Sequence, residues 1–153
     1  MSNKIIPFLW YNDNAEEAMN YYVSIFKNSM VKNVSRNADG KAFSCVFNLD
    51  GQEFYALNGG PMYKLTEAVS FFVNCETQEE VDELWNKLSA GGTESRCGWL
   101  KDKFGLSWQI IPKAMGQLMG SKDPAKAKNV MNAMLKMSKI VIADLQAAHD
   151  STE

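Results

Sequence analysis

The stretch Phe8–Phe26, FLWYNDNAEEAMNYYVSIF, has a counterpart 63 residues further on, Phe71–Ser89, FFVNCETQEEVDELWNKLS. Only Phe8, Glu16 and Glu17 are identical between the two, so the match lies in pattern. Each begins with a short apolar run that reads as a strand, then breaks and enters a helix with acidic residues in its first turn. Asn14 stands at the N-cap position of the first helix. Thr77 stands at that of the second, with Glu80 three residues on as a capping box. Helix faces coincide at Ala18 and Val81, Tyr22 and Trp85, Ile25 and Leu88. Ile5 to Tyr11 reads as the first strand, and Pro7 within it favours an edge position or a site where the ladder is not needed.

Beyond each helix the spacing changes to that of strands. Val31 to Arg36, Phe43 to Leu49 and Glu53 to Leu57 read as strands joined by turns at Asn37-Ala38-Asp39-Gly40 and Asp50-Gly51. In the second copy, Thr93 to Lys101 is extended, Asp102-Lys103-Phe104-Gly105 turns the chain, and Leu106 to Ile111 returns as a strand. Gly51 aligns with Gly105 and Phe54 with Trp108 at an offset of 54, so the second copy is 9 residues shorter between helix and last strand. The expected fold is α+β: two tandem β-α-β-β-β units (residues 1–60 and 67–112) forming curved half-barrel sheets within a duplicated domain of residues 1–112. Residues 113–153 are expected to form a helical extension packed on that domain or on a dimer partner. Its parts are Lys113 to Met119, a helix capped by Ser121 or Asp123, and Ile140 to Ala148. Val130, Met134 and Met137 form a stripe suited to core packing, in part against a second subunit.

Composition narrows the function classes. The chain has 153 residues, 46% hydrophobic and 22% charged, with a net charge of −2. Without a basic excess, nucleic acid is not an expected partner. Ile5 to Tyr11 is too short to span a bilayer or to form a signal-peptide core, so neither membrane nor export is expected. Cys45, Cys75 and Cys97 do not make a disulfide framework, which points to a reducing cytoplasm. The single histidine, His149, sits in a polar tail, so His-dependent catalysis or metal binding is not expected, and no Cys pair suits zinc. Gly59-Gly60 lacks the helix and Lys-Ser/Thr of a phosphate loop.

Several blocks together resemble a known family. They are Pro7-Phe8-Leu9-Trp10 before Asn14-Ala15-Glu16-Glu17-Ala18; Tyr21-Tyr22 with Ile25-Phe26; and Leu57-Asn58-Gly59-Gly60-Pro61. Also shared are Cys97-Gly98-Trp99-Leu100, Asp102, Phe104-Gly105 and Trp108-Gln109, and the tail Asp123-Pro124-Ala125-Lys126-Ala127 with Met134-Leu135 and Met137. The chain resembles the vicinal oxygen chelate superfamily, which includes glyoxalase I, extradiol dioxygenases, fosfomycin-resistance enzymes and bleomycin-resistance proteins. Within it the resemblance is to the PhnB-like group named for 3-demethylubiquinone-9 3-methyltransferase. The resemblance implies a concave face on each unit, a homodimer, and metal-ligand positions on the first and last strands. Carried over, those positions are Pro7, Tyr55, Ser70 and Gln109, which are poor divalent-metal ligands. Metal-dependent glyoxalase, dioxygenase or fosfomycin-transferase activity is therefore not expected, and no cofactor is expected.

Strand alternation extends the site. Pro7, Leu9 and Tyr11 are expected to face the cleft with Tyr55 and Leu57, while Phe8 and Trp10 pack under the helix. Ser70, Phe72 and Asn74 are expected to face it with Gln109 and Ile111, and Trp99 to stand at the rim. The expected function is metal-independent binding of an uncharged, partly aromatic small molecule. The alternative is an enzyme, a methyltransferase by family name or one using a reactive Cys97 beside Arg96.

Overall fold

Period-two alternation with one helix per repeat produces two four-stranded mixed sheets, each covered on one face. The computed structural model describes residues 3–151 and divides into two units, at Thr66 and Glu67. In the first, β1 (Phe8–Tyr11), α1 (Ala15–Ile25), β2 (Met30–Arg36), β3 (Ala42–Leu49) and β4 (Gln52–Asn58) give a sheet of order β1-β4-β3-β2. β1 is an edge strand parallel to β4, and the other pairs are antiparallel. In the second, β5 (Ser70–Cys75), α2 (Gln78–Ser89), β6 (Thr93–Glu94), β7 (Trp99–Lys101) and β8 (Ser107–Pro112) repeat the topology in the order β5-β8-β7-β6. α3 (Lys113–Met119), α4 (Pro124–Leu135) and α5 (Ile142–Asp150) follow. This is the α+β duplication expected from the 63-residue repeat.

The first core forms where α1 meets its sheet. Ala18, Met19 and Tyr22 are buried, as are Leu9, Tyr11, Cys45, Phe47, Phe54 and Ala56. Phe47 and Phe54 stack with ring centroids 5.5 Å apart, and the Tyr11 and Tyr22 hydroxyls lie 3.1 Å apart. The start of α1 differs from expectation. Asn14 makes no side-chain cap. Instead Asn58, at the end of β4, accepts from Ala15 N at 2.8 Å and donates to Ala42 O at 2.9 Å. A tertiary partner thus satisfies a helix-end donor that would otherwise fall to the local residue. Asp50 (φ 47°) and Gly51 (φ 84°) form the tight β3–β4 turn, whose two left-handed residues match the twist of a hairpin.

In the second unit Val81, Leu84, Trp85 and Leu88 of α2 are buried, with Leu100, Trp108 and Ile110 of the sheet. Thr77 caps α2 through Glu80 N at 3.1 Å. The β7–β8 hairpin is organised by a buried carboxylate. Asp102, 2% exposed, accepts from Phe104 N (2.8 Å), Leu106 N (3.0 Å) and Trp108 Nε1 (2.9 Å).

The stretch from Thr93 to Lys101, expected to be continuously extended, is broken between β6 and β7. There Cys97 (φ 60°) and Gly98 (φ 83°) turn left-handed, and their amides donate to Met137 O (2.9 Å) and Ser138 O (2.8 Å). The break is therefore a docking joint for the helical extension. Gln78 completes the attachment, donating to Ile140 O at 2.9 Å and accepting from Ile142 N at 2.7 Å. Lys139 pairs with Asp82 at 2.9 Å. The extension has its own core of Ile111, Val130, Ile140 and Leu145, with Met115, Met119, Met134 and Met137 packed around it.

Three outcomes follow. A Cβ at Gly98 would lie 2.6 Å from Ile111 Cδ1 and 3.1 Å from Ile140 Cγ1, on a backbone that disfavours side chains. Gly98→Ala is expected to cost about 1–3 kcal/mol in urea unfolding, with faster hydrogen exchange in α5. Asp102→Ala strands the buried Trp108 indole N–H and two backbone amides, and is expected to cost about 3 kcal/mol. Burial pushes the Cys75 thiol from 9.0 up to about 12. The folded state keeps a proton that the unfolded chain releases, so this contribution is intact below about pH 9 and is lost as pH rises toward 12. Urea unfolding at pH 7.5, 9 and 10 should show a shallower decline for Cys75→Ala than for the wild type.

Candidate functional site

Each sheet has a second face that neither α1 nor α2 covers, with only its Ile111 end in the second unit taken up by the extension, and strand register decides which residues occupy it. Phe8 pairs with Tyr55 in the first unit, and Phe72 pairs with Gln109 in the second. The last strands keep the offset of 54, but the first strands are offset by 64, whereas the helices are offset by 63. The extra residue lies in the strand–helix connection: Asn12-Asp13-Asn14 in the first unit, Glu76-Thr77 in the second. A slip of one residue moves every side chain of a strand to the opposite face.

This overturns the expected orientation of β1. Leu9 and Tyr11, 5% and 3% exposed, belong to the core under α1. Phe8, 58% exposed, lies on the helix-free face, with its ring 5.7 Å from that of Tyr55 in an edge-to-face contact. By alternation Trp10 shares that face with Leu57. Its indole N–H donates to Gly60 O at 2.9 Å, and its ring meets Tyr63 edge-to-face at 5.0 Å. Gly59 lies so close to the Trp10 ring that a Cβ there would collide with it. Pro7 stands before β1, and its carbonyl accepts from Tyr55 N at 2.9 Å.

In the second unit Ser70, Phe72 and Asn74 share the helix-free face with Gln109. Phe72 is 53% exposed, and Gln109 Nε2 donates to Ser70 Oγ at 2.9 Å. Trp99 pairs with Gln109 across β7 and β8 and is half-buried on the same face. Ile111, expected beside Gln109, is taken into the core of the extension. Cys97 is half-buried at the docking joint. The structure thus brings Tyr55 and Leu57 together in the first unit, and Ser70, Phe72, Asn74, Trp99 and Gln109 in the second. It removes Leu9 and Tyr11, and adds Phe8 and Trp10. The one signal that could have found the latter two was the unequal length of the strand–helix connections.

A larger cleft in the first unit, about 740 Å³, lies at the start of α1 beside the β2–β3 hairpin, lined by polar groups such as Asn12, Glu16, Asn20, Arg36 and Asn58. Two of its charges are paired with each other. Arg36 donates to both Glu16 oxygens (3.1 and 2.6 Å), and that hydrogen bond holds the Glu16 carboxyl below its ordinary range. None of the expected site residues lines it.

The donor set of the helix-free faces does not suit a divalent metal. Phe8, Tyr55, Phe72 and Gln109 occupy the facing positions of the first and last strands. Among the described residues, no three His, Cys, Asp or Glu side chains are grouped to hold an ion.

Known proteins are similar to this chain in sequence and fold. The sequence profile of the 3-demethylubiquinone-9 3-methyltransferase family matches residues 3–111. A PhnB protein from Bacillus cereus, described as a 3-demethylubiquinone-9 3-methyltransferase, is 35% identical over 72% of this chain and 99% of its own, with a TM-score of 0.69. Protein PA1353 from Pseudomonas aeruginosa is 19% identical over 72% of this chain and 98% of its own, with a TM-score of 0.62. The fosfomycin resistance protein FosX from Listeria monocytogenes, solved with Mn(II) and sulfate, is 18% identical over 71% of this chain and 89% of its own, with a TM-score of 0.54. The latter two show a shared fold. No curated protein matches. The chain belongs to the 3-demethylubiquinone-9 3-methyltransferase family, the PhnB-like group.

Proposed function

We propose that this protein binds an uncharged, partly aromatic small molecule on its helix-free sheet faces, without a metal. The observation that carries this reading is the chemistry of those faces. In the first unit exposed Phe8 stands beside Tyr55, and in the second exposed Phe72 stands among the neutral polar groups of Ser70, Asn74 and Gln109. Apolar walls with a few neutral hydrogen-bonding groups favour a ligand of like character over a dicarboxylate or phosphate. The family's name carries methyl transfer. The segment after β1, Asn12-Asp13-Asn14, has none of the glycines with which a nucleotide-type cofactor loop approaches its ligand. The nucleophile alternative finds less support, because Cys97 serves the docking joint through its backbone.

The same reading includes a homodimer. Met30 and Phe43 of the first unit are 55% and 50% exposed, and Met131 and Leu135 of α4 are 46% and 53% exposed. Apolar surface of this kind is suited to a second copy. A reducing, cytoplasmic setting accords with three free thiols, two of them buried.

Titration with neutral aromatic compounds is expected to quench tryptophan fluorescence, since Trp10 and Trp99 share the faces that would receive them. Phe72→Ala or Gln109→Ala should weaken binding about tenfold, equivalent to about 1.4 kcal/mol, and leave the melting temperature nearly unchanged. No response to any neutral aromatic, or binding that needs stoichiometric metal, would refute the proposal. Sedimentation should show a dimer at micromolar concentration, and a monomer would refute that part of the reading.

A further inference from the structure

Ser107 opens β8 on the helix-free face of the second unit. It is 1% exposed, and its hydroxyl has no hydrogen-bond partner among the described residues. An unpaired buried hydroxyl is costly, and native proteins keep few of them. This one lines a cleft of about 180 Å³, together with Glu67, Glu94, Trp99 and Lys101. The three charged groups there already have partners. Lys101 is ion-paired with Glu67, whose carboxyl that hydrogen bond holds below its ordinary range. Glu94 accepts from the Trp85 indole N–H at 2.7 Å. The Ser107 hydroxyl is left over, at the foot of a cleft whose wall is an indole.

We propose that this cleft is a subsite for a single neutral aromatic ring bearing an oxygen substituent, held by hydrogen bonding to Ser107 and by contact with Trp99. The proposal rests on the ligand-binding reading above and narrows its ligand class. Size sets the first limit. A cavity of about 150 Å³ accommodates benzene, so this cleft holds one six-membered ring with a small substituent. Charge sets the second. Two carboxylates against one ammonium leave the lining net negative, and Lys101 is already neutralised, so an anion is disfavoured. Hydrogen bonding sets the third. A serine hydroxyl both donates and accepts, so a phenolic or carbonyl oxygen satisfies it and an unsubstituted ring does not.

The test uses phenol, toluene and benzoate with the full chain, followed by amide chemical shifts of Trp99, Leu100 and Ser107. Phenol is expected to shift these signals and to bind at least about fivefold more tightly than toluene, the ratio expected of one hydrogen bond of about 1 kcal/mol. Benzoate should bind more weakly than phenol. Ser107→Ala should abolish the preference for phenol while leaving toluene affinity unchanged. Its melting temperature should be equal to or above that of the wild type, because the variant removes an unpaired buried group. If Ser107→Ala keeps the phenol preference, or benzoate binds best, the subsite is overturned while ligand binding on the helix-free faces stands. If phenol shifts other open-face residues but not these three, the cleft holds only water and the subsite is again overturned. If neither phenol nor toluene shifts any residue of those faces, and no larger neutral aromatic does, both proposals fall.

Discussion

One helix for four strands is the constraint on which the molecule turns. A sheet whose strands alternate has two faces to cover, and α1 and α2 each cover one. The dry faces are well made, with Tyr22, Phe47, Leu88 and Ile110 fully buried. The opposite faces keep aromatic surface in view of solvent, at Phe8 and Phe72. At about 25 cal/mol per Å² of apolar surface, each exposed ring forgoes stabilisation that a small folding margin would otherwise use. Such surface is suited to being covered by something the unit does not itself supply.

Fold and faces were not equally legible. Helix periodicity, the Thr77–Glu80 capping box and the Asp50-Gly51 turn made the duplication readable, because each is a local signal with a local cause. Orientation in the second unit followed correctly from alternation, since Ser70, Phe72 and Gln109 share one face in the structure. Orientation in β1 did not. The helices were the clearest landmarks, and carrying their offset back across a connection of different length reversed the strand. Alternation carries no tolerance for such an error: a register that is nearly right is inverted. Asn58 was missed for a different reason. Its role at the start of α1 spans 43 positions of sequence, and only the parallel pairing of β1 with β4 brings it there.

The extension shows how an odd local conformation acquires a reason. The residues matched by the family profile end at 111, and α3 to α5 lie beyond them. Cys97 and Gly98 hold left-handed backbone that a strand does not need. Their amides meet carbonyls of Met137 and Ser138, and Gly98 leaves room for Ile140. A cysteine beside an arginine invites a chemical explanation from sequence alone. In the folded chain the backbone of Cys97 has the defined task.

The parallel pairing of first and last strands also orders events in time. Phe8 finds Tyr55 only after 47 further positions have been made, whereas β3 and β4 meet across a two-residue turn. On a growing chain β1 cannot complete its pairing until β4 has been made. Phe72 and Gln109 are 37 positions apart. The difference in closure entropy between the two units is only about 0.2 kcal/mol, so the shorter second copy gains almost nothing in the cost of ordering. What both copies share is a sheet edge completed last, by the oldest segment of each unit.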